Sequence, residues 1–307
     1  MLEASSLGSP LIGRTAERVG TTRGILPITK STFEVSAGFH GVFGGWELPG
    51  HGDPYAGCGA FFYRGCLDVE AHKQERLDVE ASGRIYVKRI ASTCLRAVCP
   101  VCYEKWAAKE AHKIEYRIDQ VRGLGPPVHV VVSVPKSDYG LVLDDFVKLR
   151  RKVYLVVKRV GIRGGSMIFH PFRQNPLTKE WFFSPHFHLI GFGWVLGVDI
   201  EFELSGYVIK NKGIRDSVFA TAMYQLSHCG INSSKGKRGF HSVTWFGACS
   251  YNKLNVEPEI VEPEVCPLCG KKLGRILFVG DADPLEGEPE GEYFLELGEW
   301  VPWRGYG

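Results

Sequence analysis

Runs of apolar residues and their alternation with polar ones predict three strands in the middle of the chain. Residues 128–135, Val-His-Val-Val-Val-Ser-Val-Pro, are β-branched and end in a proline, as is typical of a short strand. Residues 166–172 and 181–190 predict two further strands, which a polar turn at Asn175-Pro176 would join as an antiparallel hairpin. The last strand alternates an apolar set with a set that contains two histidines, so one of its faces suits a core.

Helical periodicity separates these strands. Residues 143–160 begin with acidic and end with basic side chains, a polarity that complements the helix dipole. Residues 215–228 carry an apolar stripe at helical spacing, and a third helix is expected over residues 104–122. The order β-α-β-β-α favours an α+β fold, a ferredoxin-like or RRM-like core with a central antiparallel sheet and helices on one face.

Composition divides the chain into four parts. Residues 1–55 are rich in Gly, Ser and Thr without a sustained period, so we expect a partly disordered extension. Residues 56–125 contain five cysteines and predict a zinc-binding module that ends in a helix. Residues 126–255 would form the central domain. Residues 256–307 are acidic and contain the knuckle-like sequence Cys-Pro-Leu-Cys-Gly.

Charge is distributed unevenly along the chain. The formal net charge is +3, but residues 256–307 carry 12 acidic against 4 basic residues, which leaves +11 for the preceding part. A basic body with an acidic terminal segment is typical of a protein that binds a polyanion. The sequence shows neither a run of about 18 apolar residues nor a signal segment. We therefore expect a soluble, cytoplasmic protein with no membrane partner.

A structural zinc site is predicted by the motif Cys94-x4-Cys99-Pro-Val-Cys102. The Cys-x2-Cys turn places two thiolates at one tetrahedral edge, and Cys94 supplies a third. Three residues remain open as the fourth ligand: Cys66, which closes the shorter loop and is favoured, Cys58, which is nearly as good, and His72, which is less favoured. Two Cys-Pro-x-Cys pairs without a secretion signal favour Zn²⁺ over disulfides.

A second zinc site is predicted at Cys266-x2-Cys269, although no Cys or His follows it. Its partners stay open: Cys58 with another upstream residue, or His241 or Cys249. Cys229 and Cys249 are more typical of small buried apolar residues than of ligands.

A catalytic metal site is suggested by the strand Pro185-His186-Phe187-His188-Leu189-Ile190. Residues two apart point to the same face of a strand, so the two imidazoles would project together and could hold a divalent metal. His170, in the preceding strand of the hairpin, is the candidate third ligand.

A nucleophile is suggested by the helix over residues 215–228. Tyr224 and His228 lie four residues apart and face away from the apolar stripe. A phenol needs a nearby base, cation or metal-bound electrophile to react, and His228 could accept its proton or hold a phosphate. Three other tyrosines are less suited alternatives: Tyr154, Tyr207 and Tyr251.

Together these motifs resemble the HUH endonucleases, and most closely the rolling-circle replication initiators of small plasmids and viruses, particularly archaeal ones. The resemblance covers roughly residues 58–255. It rests on the strand that ends in Ser-Val-Pro135, on His186-Phe-His188, on the helical Tyr224 and on the cysteine motif from Cys94 to Cys102. Each motif alone has low specificity, but all four occur in order.

One position departs from the family pattern. Many initiators have a lysine three residues after the tyrosine, and this chain has Ser227 there. The basic group that would orient the phosphate is then His228 or a lysine from elsewhere, such as Lys210 or Lys212.

The resemblance implies a mechanism and its partners. Mg²⁺ or Mn²⁺ held by His186, His188 and His170 would polarise a phosphate of single-stranded origin DNA. Tyr224 would attack it, leaving a 5′-phosphotyrosine and a 3′-hydroxyl that primes a host polymerase, with a host helicase as a further partner. The chain has no phosphate-binding loop of the G-x-x-x-x-G-K-[ST] type, which is consistent with a reaction that stores the bond energy in the ester.

DNA contacts are predicted in three basic segments and near the proposed cut. The candidates are Lys148, Arg150, Arg151, Lys152, Lys158, Arg159, Arg163, Lys210, Lys212, Lys235, Lys237 and Arg238. Trp245 and Phe246 could stack on an unpaired base near the cut.

Two other functions stay open. One is a single-tyrosine transposase or a relaxase, although relaxases usually have a three-histidine cluster and an N-terminal tyrosine, which the sequence does not suggest. The other is a non-catalytic, zinc-containing DNA-binding regulator.

Overall fold

The computed structural model describes two compact units of the chain. The described residues are 17–18, 42–75, 83–232 and 241–304. We call the described parts of Ile28–Cys58 and Thr93–Pro258 the central unit, and those of Met1–Pro27, Gly59–Ser92 and Glu259–Gly307 the terminal unit.

The strands and helices are numbered in chain order. The strands are β1 (Glu17–Arg18), β2 (Val42–Phe43), β3 (Trp46–Glu47), β4 (Phe61–Cys66), β5 (Arg84–Ala91), β6 (Pro127–Ser133), β7 (Ile162–Gln174), β8 (Trp181–Gly193), β9 (Val208–Ile214), β10 (Ile231–Asn232), β11 (Val243–Gly247), β12 (Gly274–Phe278), β13 (Gly291–Glu296) and β14 (Trp300–Pro302). The helices are α1 (Val69–Glu75), α2 (Tyr103–Asp119), α3 (Gly140–Asp144), α4 (Phe146–Arg159), α5 (Val198–Ser205) and α6 (Val218–Leu226).

The central unit is built on a five-stranded antiparallel sheet with the order β11-β7-β8-β6-β9. The three strands expected from sequence are its inner strands, and β7 and β8 form the expected hairpin with longer arms than predicted. The mixed α+β architecture with antiparallel sheets agrees with the fold class expected from sequence.

Helices cover both faces of this sheet, so the expectation of helices on one face only is wrong. On one face α4 packs against Val130, Phe169 and Leu189. On the other face α2 and α6 pack against Ile168 and Ile190. The physical reason is that β7 and β8 bury apolar residues on both sides, which requires a covering layer on each.

The helix expected over residues 143–160 is interrupted near its start. The structure forms α3 and then α4, and Asp145 between them accepts a hydrogen bond from the backbone N–H of Lys148 at 2.9 Å. This is the N-cap arrangement that Asp favours, and it satisfies a donor that would otherwise be left without a partner.

Part of the expected N-terminal extension is well packed. Strands β2, β3 and β10 form a small sheet in the central unit. Trp46 is fully buried, and its ring centroid lies 4.8 Å from that of Phe146 and 4.6 Å from that of Phe169. Residues 44–55 are therefore an ordered part of the extension, because these aromatic contacts hold the segment. The expectation for residues 1–16 and 19–41 falls outside the described residues.

The terminal unit contains a six-stranded antiparallel sheet with the order β1-β13-β5-β4-β12-β14. Its core includes Ile85, Val87, Tyr293 and Trp300. Residues 259–304 of the acidic segment are therefore not a separate tail, since β12, β13 and β14 pair within this sheet.

The boundaries of these units differ from the four predicted segments. The predicted zinc module at 56–125 is divided twice between them, after Cys58 and after Ser92. The division arises because β4 and β5 pair with β12 and β13, far along the chain. Within the described ranges, no helix is long and apolar enough to cross a membrane.

Candidate metal and phosphate site

A histidine cluster lies on the α2 and α6 face of the central sheet. The register of the β7–β8 hairpin places His170 opposite His186 and Ile168 opposite His188. Because alternate strand residues share a face, the three histidines project to the same side. His228 follows α6 directly and reaches the same place, with its ring centroid 4.5 Å from that of His170. One ring nitrogen each of His170, His188 and His228 lies within 4.8 Å of the others.

Burial keeps these rings unprotonated. His170 is 0% exposed, and both of its ring nitrogens are without a hydrogen-bond partner among the described residues. Burial, together with the neighbouring histidines, lowers the pKa of His170 and of His188 well below the usual value. Burial also lowers the pKa of His228 to about 4. Neutral imidazoles with an orphaned buried nitrogen are what a metal site requires.

Hydrogen bonds to Nδ1 orient two of the rings. His186 Nδ1 lies 2.8 Å from the carbonyl oxygen of Ser184, which can only accept, so Nδ1 carries the proton and Nε2 keeps a lone pair. The Ser227 hydroxyl donates to the carbonyl oxygen of Tyr224 at 2.8 Å and so accepts from His228 Nδ1 at 3.0 Å. Both rings therefore offer Nε2, the tautomer that metal-binding histidines adopt when Nδ1 is held.

The cluster differs in one member from the predicted ligand set. His170 and His188 lie together as expected, but the third nitrogen comes from His228, which was expected to act on the tyrosine or the phosphate. The His186 ring lies beside the cluster, with its centroid 5.1 Å from those of both His170 and His188. Metal binding by these residues stays a prediction.

A fifth histidine was not identified from the sequence. His129 Nε2 lies 2.9 Å from His188 Nδ1, and Arg215 Nη2 lies 3.3 Å from His129 Nδ1. The pair is compatible with metal binding when His188 Nδ1 donates to His129 Nε2, because His188 Nε2 then keeps a lone pair for a cation. Arg215 Nη2 in that arrangement keeps its hydrogen bond to the carbonyl oxygen of Lys212 at 2.8 Å. The signal was present in β6, where His129 alternates with Val128 and Val130 and so lies on the opposite face of the sheet, the face of the histidine cluster.

A cleft of about 530 Å³ opens over the cluster. Four cationic side chains line it, namely Arg173, Lys179, Lys210 and Lys212. No Asp or Glu is among the described residues that line it. The predicted Lys210 and Lys212 are therefore at the site, whereas Arg173 and Lys179 were missed because they lie at the end of β7 and in the hairpin turn, outside any basic run. Such a lining suits a polyanionic ligand.

Tyr224 is placed at this cleft by α6. The helix begins at the N-cap Ser217, whose hydroxyl accepts from the backbone N–H of Ala220 at 3.0 Å. Its apolar stripe is buried, which leaves Tyr224 on the outer side with 52% of its surface exposed. The Tyr224 ring centroid lies 4.8 Å from that of His228 and 6.1 Å from that of His188.

The alternative tyrosines lie elsewhere. Tyr207 is buried and donates its hydroxyl to Asp138 Oδ2 at 2.6 Å. Burial and this carboxylate raise the pKa of Tyr207, so it is unsuited to nucleophilic attack. Tyr154 packs against Phe246, with ring centroids 5.7 Å apart. Tyr103 lines the cleft and was not considered from sequence, and burial raises its pKa to about 12.

The other residues predicted to contact DNA differ in their surroundings, and some of them already have ion-pair partners in the protein. Lys152 Nζ pairs with Asp138 at 2.7 Å, and Arg159 forms two bonds with the buried Glu201 at 2.6 and 2.7 Å, so both have structural partners. Lys148 is exposed, and Arg150 and Arg151 line a second cavity. Lys158 is exposed, and Arg163 donates to the carbonyl oxygen of Leu124 at 2.6 Å. Lys235, Lys237 and Arg238 lie outside the described residues.

The first cysteine cluster contains Cys58, Cys94, Cys99 and Cys102. The Sγ–Sγ distances are 3.3 Å for Cys94–Cys102, 3.6 Å for Cys58–Cys99 and 3.9 Å for Cys58–Cys94. A tetrahedral Zn²⁺ with bonds of 2.3 Å would separate its sulfurs by about 3.8 Å, so the cluster can hold zinc. The fourth member of this cluster is Cys58, and the preference for Cys66 is wrong, because β4 carries Cys66 into the terminal unit.

The pKa values of two thiols in this cluster, Cys94 and Cys99, are shifted in opposite directions. Burial raises the pKa of Cys94 to about 12. Burial acts in the same direction on Cys99, but backbone N–H groups of Val101 and Tyr55 outweigh it and lower the pKa to about 6. Because zinc binds thiolates, uptake of the ion would release protons from thiols such as Cys94.

The second cysteine cluster contains Cys66, His72, Cys266 and Cys269, all in the terminal unit. The Cys66 and Cys269 sulfurs are 3.7 Å apart, and His72 Nε2 lies 3.4 Å from Cys266 Sγ. His72 Nδ1 donates to the carbonyl oxygen of Arg84 at 2.8 Å, which directs Nε2 into the cluster. This group can also hold zinc.

These contacts settle the partners that the sequence left open for Cys266 and Cys269. Cys58 belongs to the other cluster and Cys249 is fully buried in the central core, so neither is a partner. His241 belongs to the central unit and is likewise not in the cluster. Cys229 is also fully buried, as expected of a small apolar residue.

Comparison with protein-family models, with curated proteins and with solved structures finds no match for this chain. The functional interpretation therefore rests on the residues and their geometry. The feature that any function must explain is an exposed phenol beside a buried imidazole cluster in a cation-lined cleft.

Proposed function

We propose that this protein nicks and rejoins single-stranded DNA with Tyr224 as the nucleophile, as a rolling-circle replication initiator of the HUH type. The observation that carries the proposal is the position of Tyr224. It is half exposed, it lies beside the rings of His188 and His228, and it lines the same cleft as Lys210 and Lys212. A nucleophile, a candidate metal site and a phosphate-binding surface are thus combined in one place.

His170, His188 and His228, with His186 beside them, are the residues that would hold a divalent cation. A bound cation would polarise the scissile phosphate and offset charge on the departing oxygen. The donor atoms are all imidazole nitrogens, which Mg²⁺ accepts poorly and which transition metals accept readily. Of the two cations expected from sequence, we therefore infer that Mn²⁺ is held more tightly than Mg²⁺.

The side chains in the cleft account for the remaining steps. The Tyr224 oxygen attacks phosphorus, the bond from phosphorus to the 3′ oxygen breaks, and the phenol proton is transferred by way of solvent to that oxygen. Lys210, Lys212 and Arg173 bind the non-bridging and flanking phosphate oxygens and hold the strand in place. Attack by a terminal 3′-hydroxyl on the phosphotyrosine reverses these bonds and rejoins a strand.

The products fit rolling-circle initiation. The free 3′-hydroxyl can prime a host polymerase, and the phosphotyrosine retains the 5′ end until the strand is closed. Each chain contributes one nucleophilic tyrosine in the proposal, since burial raises the pKa of Tyr103, the other tyrosine of the cleft, to about 12. Closing the strand then requires a second cleavage event or a second protomer. The candidate substrate is single-stranded DNA at a replication origin, and a host helicase is a candidate partner.

The test is incubation of the purified protein with end-labelled single-stranded origin DNA and Mn²⁺. We expect a covalent adduct that survives denaturant, maps to Tyr224 by peptide mass spectrometry and disappears in Tyr224→Phe. Tyr116→Phe is the matched control, since Tyr116 lies on α2 outside the cleft and its hydroxyl only contacts the carbonyl oxygen of Glu257. That variant should form the adduct at the wild-type rate.

Two other results would replace the proposal. Tight DNA binding without any adduct would favour a zinc-containing regulator, for which the two four-ligand clusters are the supporting observation. An adduct formed only at transposon ends or at a transfer origin would favour a single-tyrosine transposase or a relaxase. The convergence of three histidines is a feature shared with relaxases, whereas the tyrosine follows the histidines here instead of lying near the N-terminus.

A further inference from the structure

A second cavity of about 550 Å³ lies along β11, an edge strand of the central sheet. Its walls come from α4, from β11 and from the turn that follows β11. None of the described residues that line it also lines the histidine cleft. The second cavity is therefore a separate site in the same unit.

The rings of Trp245 and Tyr251 in this second cavity both contact a buried arginine, Arg117. The guanidinium of Arg117 lies 5.1 Å from the ring centroid of Trp245 and 4.6 Å from that of Tyr251. Arg117 is itself buried and donates to the carbonyl oxygens of Cys249 at 2.9 Å and Leu254 at 2.8 Å. The rings thus rest on a fixed cation, yet Tyr251 is 75% exposed. An exposed aromatic ring that is fixed at one face suits stacking of a planar ligand on the other.

The charge of the lining selects an anionic ligand. Arg150, Arg151 and Lys253 line the second cavity, and no Asp or Glu is among the described residues that do. In the described part of the chain, no carboxylate forms an ion pair with any of the three. Burial and the neighbouring Arg151 lower the pKa of Arg150, as expected for cations that are not neutralised by a protein carboxylate.

We propose that the second cavity binds unpaired nucleotides of a DNA strand, with bases stacked on Tyr251 and Trp245 and phosphates bound by Arg151 and Lys253. Planar aromatic surfaces next to unpaired cations are the two elements that single-stranded nucleic acid requires. The inference goes beyond the proposed function, since binding here needs no chemistry at Tyr224.

The location of Trp245 and Phe246 differs from the one expected from sequence. Trp245 and Phe246 were expected to stack on a base near the cut, but both line the second cavity and neither lines the histidine cleft. Phe246 is also buried against Tyr154 and is not free to stack. Binding at the second cavity would instead hold a part of the strand away from the cut.

The test measures binding of a short fluorescent oligothymidylate by anisotropy, without divalent metal, in the Tyr224→Phe background. Loss of one stacked base weakens binding by about 1–3 kcal/mol, so we expect Tyr251→Ala to raise Kd by about tenfold. Tyr251→Phe keeps the ring and should bind as the parent does. Arg151→Ala should weaken binding and lower the salt-dependence slope by about one. Arg122→Ala, which removes an exposed arginine outside the cavity, should not change Kd.

Several results would overturn the inference. Unchanged Kd in Tyr251→Ala would exclude stacking there, and equal loss in Tyr251→Phe would show that the ring is not what binds. Tighter binding of a duplex than of the single strand, or full competition by a free mononucleotide, would assign a different ligand. The assay is independent of nicking, so absence of an adduct in the wild-type protein would remove the proposed function and leave this result standing.

Discussion

The histidine cluster and the cluster of Cys58, Cys94, Cys99 and Cys102 are both groups of potential metal ligands in the central unit, but they are built differently. The cysteine cluster contains four ligands at distances that suit a closed tetrahedron, two of them fully or almost fully buried. The histidine cluster contains three converging nitrogens and opens on a cleft lined by cations and by an exposed tyrosine.

We expect this difference to separate a structural role of the cysteine cluster from the proposed chemical role of the histidine cluster. A site with four protein ligands leaves no position for a substrate, whereas one with three leaves a position open. The chemistry of the donor atoms supports the same distinction. Thiolates favour zinc, whereas imidazoles suit a transition-metal ion that can exchange. The same contrast holds for Cys66, His72, Cys266 and Cys269, which also form a four-ligand group.

The largest expected effect is on the cysteine cluster. Cys102→Ser should reduce the zinc content from two ions to one per chain and abolish cooperative unfolding of the central unit, because zinc binding contributes about 10 kcal/mol or more in structural sites. The measurements are elemental analysis and a thermal melt. Cys229→Ala is the control, since it removes a buried thiol outside the clusters and should cost only about 1 kcal/mol with no loss of zinc. An unchanged zinc content in Cys102→Ser would contradict the ligand assignment.

An intermediate effect is expected at the histidine cluster. His188→Ala should weaken Mn²⁺ binding by at least about tenfold and abolish the DNA adduct, with zinc content and melting temperature close to wild type. Mn²⁺ binding is measured by electron paramagnetic resonance of the free ion. The control His112→Ala removes an exposed histidine on α2 and should bind Mn²⁺ normally. If His188→Ala instead lost zinc and unfolded, the distinction between the two clusters would be wrong.

The smallest effect is expected for Tyr207, a buried tyrosine outside the cleft. Tyr207→Phe removes the hydrogen bond to Asp138 and should lower the free energy of unfolding by about 1–2 kcal/mol. Urea denaturation measures this change. Adduct formation per folded molecule should be the same as in the wild type, because Tyr207 does not line the cleft. A lost adduct in this folded variant would mean that Tyr224 is not the nucleophile.

Local patterns predicted the elements that carry the site. The β-branched run of β6, the histidine alternation in β8 and the apolar stripe of α6 each depend on neighbours in sequence, and each element lies where its pattern placed it. The convergence of His170 and His188 followed from the register of a short hairpin. Such features are set by periodicities of two and 3.6 residues, which the sequence displays directly.

Long-range pairings were not predictable in the same way. Cys66 was favoured over Cys58 because loop length was the only criterion, but β4 pairs with β12 and carries Cys66 to Cys269. His228 was assigned to proton transfer or to phosphate binding, because its distance from His170 cannot be read from spacing along the chain. In each case the deciding contact joins residues from separate elements, which only the packed sheet brings together.

The composition of the terminal unit constrains the order in which the chain can fold during its synthesis. Cys66 and its partner Cys269 are 203 positions apart, and strands β4 and β5 pair with each other but have β12 and β13 on their outer edges. After β4 and β5 leave the ribosome, these outer edges and the Cys66 thiol therefore stay without partners while residues 93–258 of the central unit are translated and can fold ahead of them. A chaperone or an early partner that shields these edges would act on the nascent protein at this stage.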